Sequence, residues 1–373
     1  MMKNPASHEI QRAMRQIFET YSTLRDKDDL LDIVVLTTCD EAQRSCFQEQ
    51  VARKRASCEL PQIPFYVVAD PPDQKLGVGG STLHVLSELM AEFGVELYNK
   101  KVLIIHSGLS KGHGVPQMLD LKLAMYLPLC RLLGPGILVT CADDIETYCL
   151  DHASLDTLWH PDTESLGRAD VVALGHPSPL GVGRGHGVYV LQGGGVGVCG
   201  GGSVVECVEV LQKPSLEAMR SSGAVFCRGG GGSKQEEEEQ VWSDSVFWLS
   251  SGVCRRLLKW YVENRPLSGE LDAYAHILPC LGARMETAIP DDYTDYRAQM
   301  LPLLRGASFK VIALPQSKFY HMGTMGEYVA NFNTAEDFIS ELGIDRNTSN
   351  VRGKVELVNF SICDCPLRWL ETD

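Results

Sequence analysis

Short, wholly apolar segments recur between helical patterns along the first part of this chain, and they constrain its fold more than any other feature. "LLDIVVLTT" (30–38), "FYVVAD" (65–70), "KVLIIHS" (101–107) and "GILVTCADD" (136–144) are compact runs rich in branched residues. A strand with one wet face alternates polar and apolar residues, so unbroken runs predict strands covered on both faces. Between them, residues 11–25, 41–55 and 116–127, and the stretch carrying Leu83, Leu86, Met90 and Phe93, are spaced as helices. Strands alternating with helices predict an α/β domain, with helices on both faces of the sheet. "DVVALGH" (170–176), "HGVYVL" (186–191), "VVECVEVL" (204–211) and "SDSVFWLS" (243–250) are strand-like but less regularly separated by helices. The sheet is expected to become mixed there.

A chain of 373 residues with 44% hydrophobic content can bury a sizeable core. No apolar run approaches a membrane span, and the N-terminus lacks the apolar core and cleavage site of a signal peptide. The expectation is a cytoplasmic protein with no membrane partner. Its 13 cysteines show no C-x-x-C or zinc-ligand spacing, which predicts reduced, mostly buried thiols. A formal net charge of −14 argues against a general nucleic-acid surface. Two glycine-rich stretches, near 192–203 and 228–240, are expected to be flexible insertions.

Three motifs carry chemistry. In "KLGVGGSTLHVL" (75–86), Gly77, Gly79 and Gly80 allow close backbone approach and Ser81 is placed to cap the following helix. N–H groups at such a helix start form an anion site, with phosphate the natural guest. The turn is neither a Walker loop nor a G-x-G-x-x-G fingerprint, and by itself it serves equally as a structural turn. "VTCADDIE" (139–146) sets Asp143 and Asp144 at a strand end, where ligands bind in α/β sheets and where carboxylates suit magnesium. The same pair also suits a cap or a solvated turn. In "VLQKPS" (210–215), Lys213 ends a strand, as a surface lysine or as a phosphate partner if it enters a pocket.

These segments, read together with "LLDIVVLTTCDE", "VADPPDQKLGVGGSTLHVL", "PQMLDLKLAMY", "PGILVTCADDIE", "SDSVFW", "ELDAYAHIL" and "SKFYHMGTMGEYV", resemble the fucose-1-phosphate guanylyltransferase (GDP-fucose pyrophosphorylase) family from roughly Leu30 to Leu342. The resemblance implies a nucleotidyltransferase-type mixed sheet with helices on both faces, a Rossmann-like sugar-nucleotide pyrophosphorylase core. The expected division is an N-terminal helix (1–29), a catalytic domain (30–342) and an irregular tail (343–373). It implies GTP and L-fucose 1-phosphate as substrates, GDP-L-fucose and pyrophosphate as products, and Mg2+ as cofactor.

Carried onto this sequence, the resemblance makes Gly77, Gly79, Gly80 and Ser81 the nucleotide loop, Asp144 a catalytic metal ligand and Lys213 the sugar-phosphate contact. Asp272 is expected as the second metal carboxylate, with Asp244 in reserve, each serving equally as a helix-face or turn carboxylate; His186 and His321 either bind sugar hydroxyls or are satisfied core or turn histidines. Ser107, Gly108 and Lys111 fall in the strand–helix loop "HSGLSKGHGVPQ", which is shorter than the family's and lacks its arginine. No β-helix-like repeat follows residue 342. A shortened form with impaired turnover is therefore expected, the alternative being a silent nucleotide- or sugar-phosphate-binding remnant. A dinucleotide-dependent oxidoreductase is excluded for want of its fingerprint.

Overall fold

The computed structural model describes residues 5–24, 31–107, 115–150, 166, 168–195, 202–228, 238–243, 246–284 and 295–343. Its strands are β1 (Ile33–Thr38), β2 (Phe65–Ala69), β3 (Lys101–His106), β4 (Gly136–Cys141), β5 (Asp144–Tyr148), β6 (Val171–Pro179), β7 (Gly187–Leu191), β8 (Ser203–Gln212), β9 (Phe226–Arg228), β10 (Glu238–Ser243), β11 (Phe247–Ser250), β12 (Phe309–Ala313) and β13 (Ser317–His321). Four helices matter most for the site: α1 (Pro5–Leu24), α2 (Glu41–Ala56), α3 (Gly77–Phe93) and α4 (Val115–Leu132).

The first four strands run parallel in the order β2-β1-β3-β4, as the apolar runs require. Alternate residues feed opposite cores. Val34 and Leu36 of β1 and Leu103 and Ile105 of β3 pack with Met14 of α1, Phe47 of α2 and Met125 of α4. Ile33, Val35, Val102 and Ile104 pack on the other face with Leu83 and Leu86 of α3 and Leu257 of the helix Ser251–Asn264. Both faces of the sheet are covered, which is what excludes an alternating pattern.

Past β4 the sheet turns mixed, and there it does more than the sequence suggested. Strand β11 is antiparallel to both β4 and β6, β12 is parallel to β6, and the order then runs β8-β7-β10-β9. A further pairing of β10 with β6, Gln240 opposite Pro179 and Ser243 opposite His176, closes β6-β12-β8-β7-β10 into a five-stranded ring. The stretch expected to be a flexible insertion up to residue 240 therefore ends in a barrel strand. Glu238 pairs with Arg228 across β9, Glu239 meets Arg220 at 2.7 Å, and Trp242 stacks on Phe226 at 4.8 Å between centroids. Cross-strand partners order a segment whose composition alone would leave it loose.

The boundary expected at residue 29 does not isolate α1, which packs on α4, β5 and the helix Glu336–Glu341. Of the ten described cysteines, all free thiols, only Cys130, Cys207, Cys254 and Cys280 are buried, fewer than expected; Cys39, Cys46, Cys58 and Cys227 are exposed. No described helix is long and apolar enough to cross a membrane.

Candidate active site

The glycine turn leaves the carboxyl end of β2, on the side of the sheet where parallel strands place their ligands. Helix α3 starts at Gly77, whose φ of +70° favours glycine, so Ser81 lies in the second turn and caps nothing. Two of the glycines answer to packing. A Cβ on Gly79 would lie 2.8 Å from the Leu271 carbonyl oxygen, and one on Gly77 2.9 Å from the same atom. The Gly80 N–H donates to that oxygen and Leu271 N–H returns a bond to Leu76, so this backbone is stitched to the segment before Asp272.

An anion does sit at this helix start, and it belongs to the chain. Asp70 accepts from the Ser81 hydroxyl at 2.6 Å and from the Leu76 backbone N–H. Burial raises its pKa, while Ser81, His84 and Leu76 pull it back toward the ionised form. Ser107 likewise turns inward, its hydroxyl donating to the Thr37 carbonyl at 2.6 Å. Gly108 and Lys111 lie outside the described residues, as does Asp244.

The aspartate pair splits. The sequence suggested one strand through Asp144, but β4 stops at Cys141 and Asp144 opens β5, which pairs antiparallel with β13. Successive residues at a strand start face opposite ways. Asp144 enters the interior, 4% exposed, and is ion-paired with Lys122 of α4. Asp143 stays in the turn with its side chain 31% exposed, its Oδ2 3.7 Å from His321 Nε2.

Around Asp144 a closed polar network forms. Lys122 Nζ also reaches Tyr126 Oη at 3.2 Å and Thr140 Oγ1 at 3.4 Å, with Glu146 Oε2 at 4.0 Å. Tyr126 donates its proton to Glu146 at 2.9 Å, leaving Thr140 to donate to Tyr126 at 2.7 Å. Burial, opposed by Lys122 and reinforced by Glu146, pushes Asp144 well above the ordinary carboxylate range. Burial alone would lower Lys122, but Asp144 and Glu146 outweigh it and hold the ammonium above its usual value.

On the open side, three residues picked out by the sequence come together. His186 and His321 meet edge to face at 5.7 Å between centroids, and His186 also packs on Phe319 at 5.1 Å. Lys213, exposed and with φ of +45°, donates its backbone N–H to the His186 carbonyl at 3.1 Å. Burial lowers the His186 pKa, and the neighbouring His321 and Lys213 charges lower it further. Glu327 was missed, although "TMGE" has the spacing of a capping box. Its carboxylate both bonds Thr324 and accepts from His321 Nδ1 at 3.1 Å. Gly323 makes room for this ring, since a Cβ there would lie 2.5 Å from it.

Asp272 does not join this group. Its Oδ1 accepts the backbone N–H groups of Tyr274 at 2.7 Å and Ala275 at 3.0 Å, which makes it the cap of the short helix that follows. With Asp144 locked to Lys122 and Asp272 capping, the expected pair does not offer an open magnesium site, and among the described residues no three metal-ligating side chains gather as one. Asp143 is the carboxylate left facing outward.

The fucose pyrophosphorylase domain model matches residues 109–365. The chain is 33% identical over 400 aligned residues to a Homo sapiens protein named fucose-1-phosphate guanylyltransferase, and 32% identical over 367 residues to the Mus musculus protein of that name. These alignments cover 95% and 87% of this chain, but only 65% and 61% of the relatives, so the chain spans less than two thirds of their length. A domain match over most of the chain, joined to relatives at this identity, places it in the fucose pyrophosphorylase family.

Proposed function

We propose that this chain transfers GMP from GTP to L-fucose 1-phosphate, giving GDP-L-fucose and pyrophosphate, on a nucleotidyltransferase-type core formed by β2-β1-β3-β4. The observation that carries the reading is the meeting of Lys213, His186, His321 and Asp143 beside the carboxyl end of β4. It sits on the glycine-turn side of the sheet. One phosphate oxygen of the sugar attacks the α-phosphorus in line with departing pyrophosphate, so the protein's task is to position two polyanions and offset their charge. Lys213 supplies a cation to the acceptor phosphate, and the paired imidazoles offer a donor and an acceptor to sugar hydroxyls. Magnesium commonly takes one or two protein carboxylates and completes its shell with substrate phosphates; Asp143 has the donor chemistry to hold it there and so to neutralise phosphate charge.

The test is pyrophosphate release from GTP, with fucose 1-phosphate compared against other sugar 1-phosphates. Lys213→Ala is expected to raise the KM for fucose 1-phosphate about tenfold to a hundredfold, as loss of a charge-assisted contact does, with GTP affected far less. Equal losses for both substrates remove Lys213 from the acceptor side. No release with any sugar phosphate, together with intact binding of GTP, favours the silent remnant.

A further inference from the structure

We infer that Lys122, buried in α4, is a positioning residue that sets Asp143 and His321 through Asp144. The inference rests on the reading of the open site above. Lys122 is 2% exposed in the third turn of an apolar helix, and its ammonium is ion-paired with Asp144, the residue that follows Asp143 and opens β5. Asp144 pairs in register with His321 across β13, and the Asp143 carbonyl accepts the Met322 N–H at 2.6 Å. One buried tether thus holds both sides of the turn that presents the two open-site groups. Tyr126, one turn along α4, holds Thr140 before the turn and Glu146 after it. An ordinary core would fill this space with apolar side chains, since a buried ion pair is no better for stability than a matched apolar pair. What the network adds is direction: a carboxylate fixed in the interior forces its neighbour outward.

The experiment pairs a spectroscopic readout with a kinetic cycle on the full chain. Histidine ring signals are compared by NMR in the wild type, in Lys122→Met, and in Met125→Ala, a control that opens the same core without touching the network. The His321 signal, assigned with His321→Gln, is expected to move in Lys122→Met and to stay in Met125→Ala. In parallel, Lys122→Met is expected to lower kcat for pyrophosphate release at least about tenfold at a temperature where it is folded, since misplacing reacting groups by about 1 Å can cost a hundredfold. The same substitution is expected to cost clearly less in an Asp143→Ala background than in the wild type, keeping only the part that runs through His321, the signature of a residue acting through others. An unmoved His321 signal, or losses that multiply in the double variant, overturns the inference. If Lys122→Met does not fold, Lys122→Met/Asp144→Leu, which removes both buried charges, takes its place in the NMR comparison and in the cycle. Failure of both to fold assigns the pair to stability alone and also overturns it. A wild type that releases no pyrophosphate defeats the proposed activity, while the histidine signals still decide the positioning role.

Discussion

His106 shows how much one side chain at a strand end can fix. Its ring bridges β1 and α3, with Nδ1 3.0 Å from Thr37 Oγ1 and Nε2 2.9 Å from Thr82 Oγ1. Thr82 has spent its only hydroxyl proton on the Val78 carbonyl at 2.8 Å, so Nε2 carries the ring hydrogen and Nδ1 accepts from Thr37. The neutral tautomer is thereby set, and burial lowers the pKa to about 3. His176, buried beside Ser317, is lowered by burial to about 4. A histidine held neutral in the fold binds its proton only in the unfolded chain. Stability should therefore be intact above about pH 6.5 and fall as pH drops toward these values, by about 1.4 kcal/mol per pH unit for each ring. Urea titrations at several pH values measure the slope; His106→Gln should flatten it while lowering stability at neutral pH. At Gly79 the constraint is steric, because a Cβ would lie 2.8 Å from the Leu271 carbonyl oxygen and a hydrogen-bonded backbone cannot shift cheaply to relieve it. Gly79→Ala is expected to cost about 1–3 kcal/mol of unfolding free energy as overpacking does, read from urea midpoints.

At the scale of elements, the two-stranded ribbon β5–β13 is the piece the site depends on, and its far side is clamped by one buried acid. Glu341 accepts from Ser7 of α1 at 2.7 Å, Thr147 of β5 at 2.7 Å, and Tyr320 at 2.9 Å and Lys318 at 2.6 Å of β13. Glu341→Ala would leave an ammonium and three hydroxyls short of an acceptor, with an expected loss of about 3–5 kcal/mol. Hydrogen exchange should quicken in α1 and β5 before it does in β1, which checks that the clamp is local. The sequence announced β1 to β4 because a strand buried on both faces writes itself as a continuous apolar run. It did not announce the ribbon: "DDIETY" and "SKFYH" carry charges whose partners come from other elements. The site was legible to the same extent. Lys213, His186 and His321 were visible as residue types in suggestive segments, whereas the division between Asp143 and Asp144 depends on a turn of two residues and on Lys122 arriving from another helix.

For the whole molecule, the mixed sheet was expected but its closure was not, since β10 emerges from an acid- and glycine-rich stretch and gains its order only from β6, β7 and β9. That closure bears on how the chain is made. β12, at residues 309–313, lies between β6 and β8, and Val311 pairs with Ala173 on one side and Val205 on the other. On the ribosome, β6 and β8 must wait for residues more than a hundred positions downstream of β6, each with one edge unpaired that later vanishes into the ring. The parallel strands β1 to β4 need nothing so distant among themselves. Nascent chains stalled with residue 300 just outside the exit tunnel should keep β1 to β4 partly protected from protease while β6 to β10 are cut, and protection of the latter should appear together once β12 has emerged. Equal protection of both parts before residue 309 would show that the ring does not need its central strand. Synthesis thus imposes an interval in which one half of the sheet already has its neighbours and the other still shows two open edges, those of β6 and β8, and holding those edges apart until β12 arrives is a task for whatever meets the chain at the exit tunnel.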